Sequence, residues 1–236
     1  MKVLPFPAVR VNPEHLDQCG VPETSDETRD LIADGAYVKD PGAAYYACTY
    51  THDGKTSTGI MALVDLASFE DGSVAHAPSP DVDAVSEAAT QQNTDEENER
   101  ERILNSGLQT SVVVEYDDQP VLDVIVGAAK QGAPLYELAN TTSSATLRVW
   151  EIKRRDAIDA IHEMLEHATG TALASDPTRL NSMRAADRTL IDTAKAAGGY
   201  TGKEPFNYLL CTLVPKSESA DYGMISGLVM HQIEKL

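Results

Sequence analysis

Residues 43–66, "AAYYACTYTHDGKTSTGIMALVDL", hold two runs of β-branched and aromatic residues on either side of Asp53-Gly54. Aspartate followed by glycine favours a tight two-residue reversal, because glycine accepts positive φ without a steric penalty. The segment therefore reads as a β-hairpin. Toward the N-terminus, "FPAVRV" reads as a short strand that stops at Asn12-Pro13, a pairing suited to a helix cap and the first helical position. "SDETRDLIADG" follows as a small helix, with Ser25 as its cap and Gly35 as its stop.

Toward the C-terminus, Glu70-Asp71-Gly72 turns into an extended piece broken by Pro78 and Pro80. The next stretch is polar and acidic, with "QQNTDEENERER" at its centre, and residues 78–98 read as a mobile acidic segment. A helix over about residues 95–106 would anchor through Ile103 and Leu104. "QTSVVVEY" reads as a buried strand, and "QPVLDVIVGAAKQG" as an amphipathic helix closed by Gly132. "LYELAN" and "ATLRVWEI" pair around "TTSS"; a helix then runs from about Arg155 to Ala168. After the short strand "TALA" comes a long helix from about Thr178 to Ala197, stopped by Gly198-Gly199, and then strands in "FNYLLCTLV" and "GMISGLVMHQI". Hairpins interspersed with helices predict an α+β fold: one domain over residues 1–236, built on a mixed, largely antiparallel sheet with flanking helices.

Composition narrows the function. Among 236 residues, 37 acidic side chains against 19 basic ones give a formal charge of -18, which repels nucleic acid and anionic membranes. Cys19, Cys48 and Cys211 have neither an even count nor metal-site spacing, and so read as thiols in a reducing cytoplasm. "MKVLPFPAVRV" lacks the apolar core of a signal peptide, and no segment approaches the roughly 20 apolar residues that span a bilayer. The expectation is a soluble cytoplasmic protein.

"IHEMLEHATG" invites comparison with a zinc-protease helix, but His162 and His167 are five residues apart and so point about 140° apart around a helix. No metal site is expected. No Gly-Lys-Ser/Thr phosphate loop, dinucleotide fingerprint or nucleophile-elbow serine occurs. "TALASDPTRLNSM", Thr171 to Met183, is more suggestive. With Ser175 or Asp176 as cap and Pro177 in the first turn, free N–H groups near Thr178 and Arg179 would face an anion, and Arg179 would clamp a phosphate or carboxylate. The competing reading makes the aspartate cap satisfy those donors and leaves Arg179 as a surface salt-bridge partner.

Several separated stretches together resemble the bacterial and archaeal domain-of-unknown-function family 1015. Pro5, Phe6, Ala8, Arg10, Asn12 and Pro13 match its opening Pro-Phe-x-Ala-x-Arg-x-Asn/Asp-Pro segment. "STGIMALVDLASFEDGSVAH" is similar to its Gly-Ile-x-x-Leu-Val-Asp-Leu strand and the glycine turn that leads to a His-Glu pair. "ERERIL", with Arg100, resembles its Asp-Arg-x-x-Leu-Leu helix, and "FNYLLCTLVP" its Asn-Tyr strand. The family's Ala-Asp-Gly-His-His-Arg junction resembles a phosphate-binding signature of ParB and sulfiredoxin folds, which implies a ParB/sulfiredoxin-like C-terminal half. Here the junction is Ala174-Ser175-Asp176-Pro177-Thr178-Arg179, so only the alanine and arginine keep their places, and Ala77 follows His76 where glutamate is expected. The chain looks like a shortened member whose site has been rewritten.

The resemblance implies two functions. In the first, the chain has lost catalysis and keeps a binding or regulatory role, with an anion or phosphate pocket formed by Ser175, Asp176, Thr178, Arg179, Arg100 and His76. Its partner would be a small anionic metabolite, a nucleotide or an intact paralogue. In the second, it is a phosphotransferase using ATP or ADP on a small hydroxylated metabolite such as serine, with Asp176 or Glu99 as base and Arg179 and Arg100 on the phosphates. A third reading, self-association into a homo-oligomer, rests on an exposed edge of the hairpin.

Overall fold

The computed structural model describes residues 2–18, 21–65, 105–116, 126–127, 130–140, 145–166, 170–172, 208–215, 225 and 227–233. The chain enters through β1 (Val3–Leu4) and β2 (Ala8–Val11), then makes 3-10 turns over Pro13–Gln18 that break at His15. Asn12 explains this start: its Oδ1 accepts from the Glu14 N–H at 3.1 Å, while its Nδ2 donates to the Gly35 carbonyl at 2.9 Å. One side chain thus caps the turn and ties it to the end of the next helix.

That helix, α1, spans Ser25–Ala33. Its cap is Thr24, one residue before the expected Ser25: Thr24 Oγ1 accepts from the Glu27 N–H at 3.2 Å. Glu27 in turn reaches back to the Glu23 N–H at 2.9 Å, a displaced capping box. Gly35 ends the turn at φ +78°, a conformation that a side chain disfavours, and β3 (Tyr37–Lys39) follows.

The central hairpin is β4 (Tyr45–His52) and β5 (Lys55–Asp65), paired from Tyr46 opposite Met61 to His52 opposite Lys55. Asp53 and Gly54 take φ +49° and +74°, the doubly positive pattern of a type I′ reversal. β6 (Leu108–Gln109) and β7 (Val112–Tyr116) divide the run that reads as one strand in the sequence. β8 (Tyr136–Asn140) and β9 (Ala145–Ile152) form the second expected hairpin, followed by α2 (Arg155–Glu166), β10 (Gly170–Ala172), β11 (Tyr208–Pro215) and β12 (Val229–Gln232).

The fold is α+β, but with two sheets where the sequence suggested one. The large sheet has the order β10-β7-β11-β5-β4-β9-β8, with β1 also paired to β5; the small one has the order β3-β2-β12-β6. All pairs are antiparallel except β7 with β11. The extra sheet arises at Thr110-Ser111, where the chain crosses from β6 in the small sheet to β7 in the large one. The expected free edge of the hairpin is also corrected, since β4 pairs with β9 and β5 with β11. Self-association through that edge therefore has no support.

Tyr46, Cys48, Met61, Leu63, Leu147, Val149, Leu210 and Val214 of the large sheet share one apolar cluster with Ala8, Val9, Val11, Val229 and Met230 of the small one. Burial on this scale is the main force closing the two layers. On the opposite face of the large sheet, Ala47, Ile60, Ala62, Val64, Cys211 and Leu213 are fully buried. α2 packs against β1 and buries Ile161 and Leu165. Among the described residues no helix is long and apolar enough to cross a membrane.

Candidate functional site at one end of the large sheet

Strand register places several chain ends together. Asp65 closes β5 opposite Tyr208, which opens β11; Cys211 then lies opposite Val112, the first residue of β7. Ala172 closes β10 opposite Val114, and Tyr45 opens β4 opposite Ile152 at the end of β9. The described chain thus departs from this end of the sheet after Asp65 and Ala172, and it rejoins there at β11 and, through β6, at β7.

Residues 66–104 include His76 and Arg100, and residues 173–207 include Ser175, Asp176, Thr178 and Arg179. All six expected pocket residues therefore lie outside the described residues. So do Glu99, His167, Cys19, the acidic segment over 78–98 and the helix expected from Thr178. What the structure describes is the platform from which their connections depart.

That platform carries a buried polar cluster on the face turned toward the small sheet. Arg10 Nε in β2 donates to both Asp40 oxygens at 3.0 and 3.1 Å, with the two side chains 14% and 2% exposed. Tyr46 of β4 donates its hydroxyl to the same carboxylate, and Tyr136 of β8 donates to the Val11 carbonyl. Burial works against the Arg10 charge, but Asp40 and Tyr136 outweigh it and hold the guanidinium above its ordinary value. Burial, reinforced by the hydrogen bond to Asp40, raises the Tyr46 phenol, which stays a neutral donor. The outer rim of this end is Glu151, paired with Lys153 at 2.6 Å.

A second polar group lies across Phe6. The Phe6 ring meets Tyr46 at 5.3 Å between centroids and His231 edge-on at 6.2 Å. His231 Nδ1 is 3.4 Å from Gln109 Oε1, which also receives the Leu210 N–H at 3.4 Å. Leu210 precedes the first residue of β11 that pairs with β7, so the Gln109 side chain continues the ladder where backbone has crossed to the other sheet. Thr212 donates to Ser111 at 3.0 Å in the same seam.

The opening motif acquires physical roles from this geometry: Phe6 is the aromatic wedge between sheets, Ala8 a buried small residue, Arg10 the ion-pair bolt, and Asn12-Pro13 the cap. Sequence reasoning missed Asp40, Tyr46, Gln109 and Tyr136, because no local pattern marks a partner separated from Arg10 or His231 by 30 or 122 residues. Elsewhere, His162 and Glu163 are exposed on α2, and no group of three metal-ligating side chains assembles among the described residues. Cys48 and Cys211 are free and buried; burial pushes the Cys48 thiol up to about 12 and that of Cys211 higher still, so neither is a poised nucleophile.

A family model described as "Protein of unknown function (DUF1015)" matches residues 4–220, and the chain belongs to this family. Searches of curated proteins and of solved structures returned no match. The expected likeness to ParB and sulfiredoxin folds finds no support in these comparisons.

Proposed function

We propose that this member of the family is a binding or regulatory protein that holds a small anion, a phosphate-bearing metabolite or nucleotide, without transferring its phosphoryl group. One observation carries the reading. The connections that contain His76 and Arg100, and Ser175, Asp176, Thr178 and Arg179, depart from the same end of the large sheet, so short excursions suffice to bring these residues together. In this arrangement Arg179 and Arg100 supply charge, and Thr178 and Ser175 supply hydroxyl donors.

The loss of transfer chemistry follows from the residues at the junction. Asp176 stands where the family has glycine, adding a side chain and a negative charge where backbone must approach phosphate. Pro177-Thr178 replaces two imidazoles, removing proton carriers suited to neutral pH and one backbone N–H. Arg10 does not substitute for them, since its charge is already committed to Asp40.

Thermal melts with ATP, ADP, serine and phosphoserine test the proposal. At a ligand concentration 100-fold above Kd, a single folded-state site stabilises by about 2.7 kcal/mol, a shift of several degrees. Arg179→Ala is expected to abolish the shift given by phosphate-bearing ligands, and mass spectrometry to find no phosphorylated product. Turnover of serine with either nucleotide would establish the phosphotransferase instead. An unchanged melt with every ligand would remove the anion pocket.

A further inference from the structure

His231 is 4% exposed in the small sheet, and its two partners carry no negative charge: Gln109 at 3.4 Å and the edge-on ring of Phe6. Gln109 Oε1 already accepts the Leu210 N–H, so the imidazole is the donor toward it and Nδ1 carries the proton of the neutral ring. A second proton would place a cation in the apolar layer between the sheets, where an unpaired charge is strongly disfavoured. Among the described residues no carboxylate lies ready to receive it. On β2, Ala8 stands opposite His231 and Arg10 follows on the same face; β6 and β11 offer the uncharged Gln109, Leu210 and Thr212. Beyond Phe6, Asp40 is occupied by Arg10 and Tyr46, the Tyr136 phenol is bonded to the Val11 carbonyl, and Glu151 is held by Lys153.

We propose that His231 is an acid-sensitive latch between the two sheets: neutral, it lets Phe6 and Gln109 close the seam; protonated, it opens the seam while the opposite face of the large sheet stays packed. Two structural facts set the direction and the boundary of the opening. β12 lies between β2 and β6, so displacing His231 disturbs the middle of the small sheet. The opposite face of the large sheet makes none of these contacts, and α2, with Ile161 and Leu165 buried, packs against β1.

The sign of the pH effect follows from burial, which lowers the imidazole from 6.5 to about 4. A lowered histidine value means that the closed state is fully favoured above about 6.5 and loses stability as pH falls through the interval down to about 4. Across that window the closed-to-open equilibrium drops by roughly two orders of magnitude.

The two buried cysteines report on the two faces separately. Cys48 belongs to the cluster between the sheets, whereas Cys211 points to the opposite face. In the full chain carrying Cys19→Ser, thiol modification by 4,4′-dithiodipyridine, a reagent active in acid, is followed from pH 7 to pH 4. Cys48 is expected to gain reactivity as the pH falls while Cys211 stays protected, and His231→Gln is expected to remove the gain. Simultaneous exposure of both thiols overturns the latch, as does a Cys48 profile that His231→Gln leaves unchanged. Imidazole proton resonances of the parent chain provide a readout that does not depend on the variant folding. One of the six histidines must stay neutral through pH 6 and titrate only together with seam opening; six ordinary titrations in a fully folded protein overturn the proposal.

Discussion

The two faces of the large sheet solve the same packing problem differently. The outer face, with Ala47, Ile60, Ala62, Val64, Cys211 and Leu213, is apolar among the described residues apart from the paired Thr49 and Thr58 and from Tyr45, whose hydroxyl is buried with no hydrogen-bond partner among the described residues. The inner face meets the small sheet across a seam that interleaves apolar residues with Thr212 of the large sheet, Ser111 at the crossing, and Arg10, Asp40, Gln109 and His231 from the small-sheet side. An apolar face tolerates sliding and repacking. A face studded with directional bonds fixes which residues meet, and here it fixes how a four-stranded sheet docks on an eight-stranded one.

The comparison breaks most visibly at Asp40. Asp40→Ala leaves the buried Arg10 charge and the Tyr46 hydroxyl without their acceptor, so we expect a loss of about 3–5 kcal/mol in chemical denaturation. Replacing the pair together, Arg10→Met with Asp40→Leu, is expected to recover most of that loss, because no charge is then stranded. A double variant as unstable as the single one would mean that the pair itself, and not its desolvation balance, holds the seam.

Next in size is Gln109→Leu. The new side chain is accommodated by volume but cannot accept the Leu210 N–H or the His231 Nδ1–H, and each orphaned donor costs about 1–3 kcal/mol. The expected signature is local: amide exchange at Leu210 accelerates more than exchange at Ile60 or Ala62, whose ladder bonds to neighbouring strands are untouched. Equal acceleration at all three amides would contradict a seam-specific role for the glutamine.

These outcomes also separate what the sequence discloses from what it conceals. The Asp53-Gly54 hairpin, the β8–β9 pair and the Asn12-Pro13 cap are readable because their determinants lie within a few residues of one another. The second sheet is not readable: β3 has three residues and β6 two, too few for a period, and Gln109 to Tyr116 reads as a single strand across Thr110-Ser111, where the chain changes sheets. The cap at Thr24 rather than Ser25 reflects a local competition between adjacent hydroxyl residues that only backbone geometry resolves. For the candidate site, Arg10 is marked by its motif, but its acceptor Asp40 sits in an ordinary "KDPG" turn. The anion-binding residues proposed from the 174–179 junction remain a reading of residue types, and the sheet contributes the common origin of their connections.

The smallest effect gives the finest discrimination between the faces. Thr212→Val preserves shape and removes one hydroxyl, leaving Ser111 buried without its donor, for a loss of about 1 kcal/mol. Adding Ser111→Ala removes the orphan as well, and the double variant is expected to be closer to the parent in its denaturation midpoint than the single one. On the outer face the same logic runs in reverse: Cys211→Ser inserts a hydroxyl among Ala62, Val64 and Leu213, where no described side chain offers a polar partner, and stability should fall by about 1–3 kcal/mol. If the hydroxyl swaps at 211 and 212 had equal and small effects, side-chain bonding would not distinguish the two faces, and the docking of the small sheet would have to come from apolar shape alone.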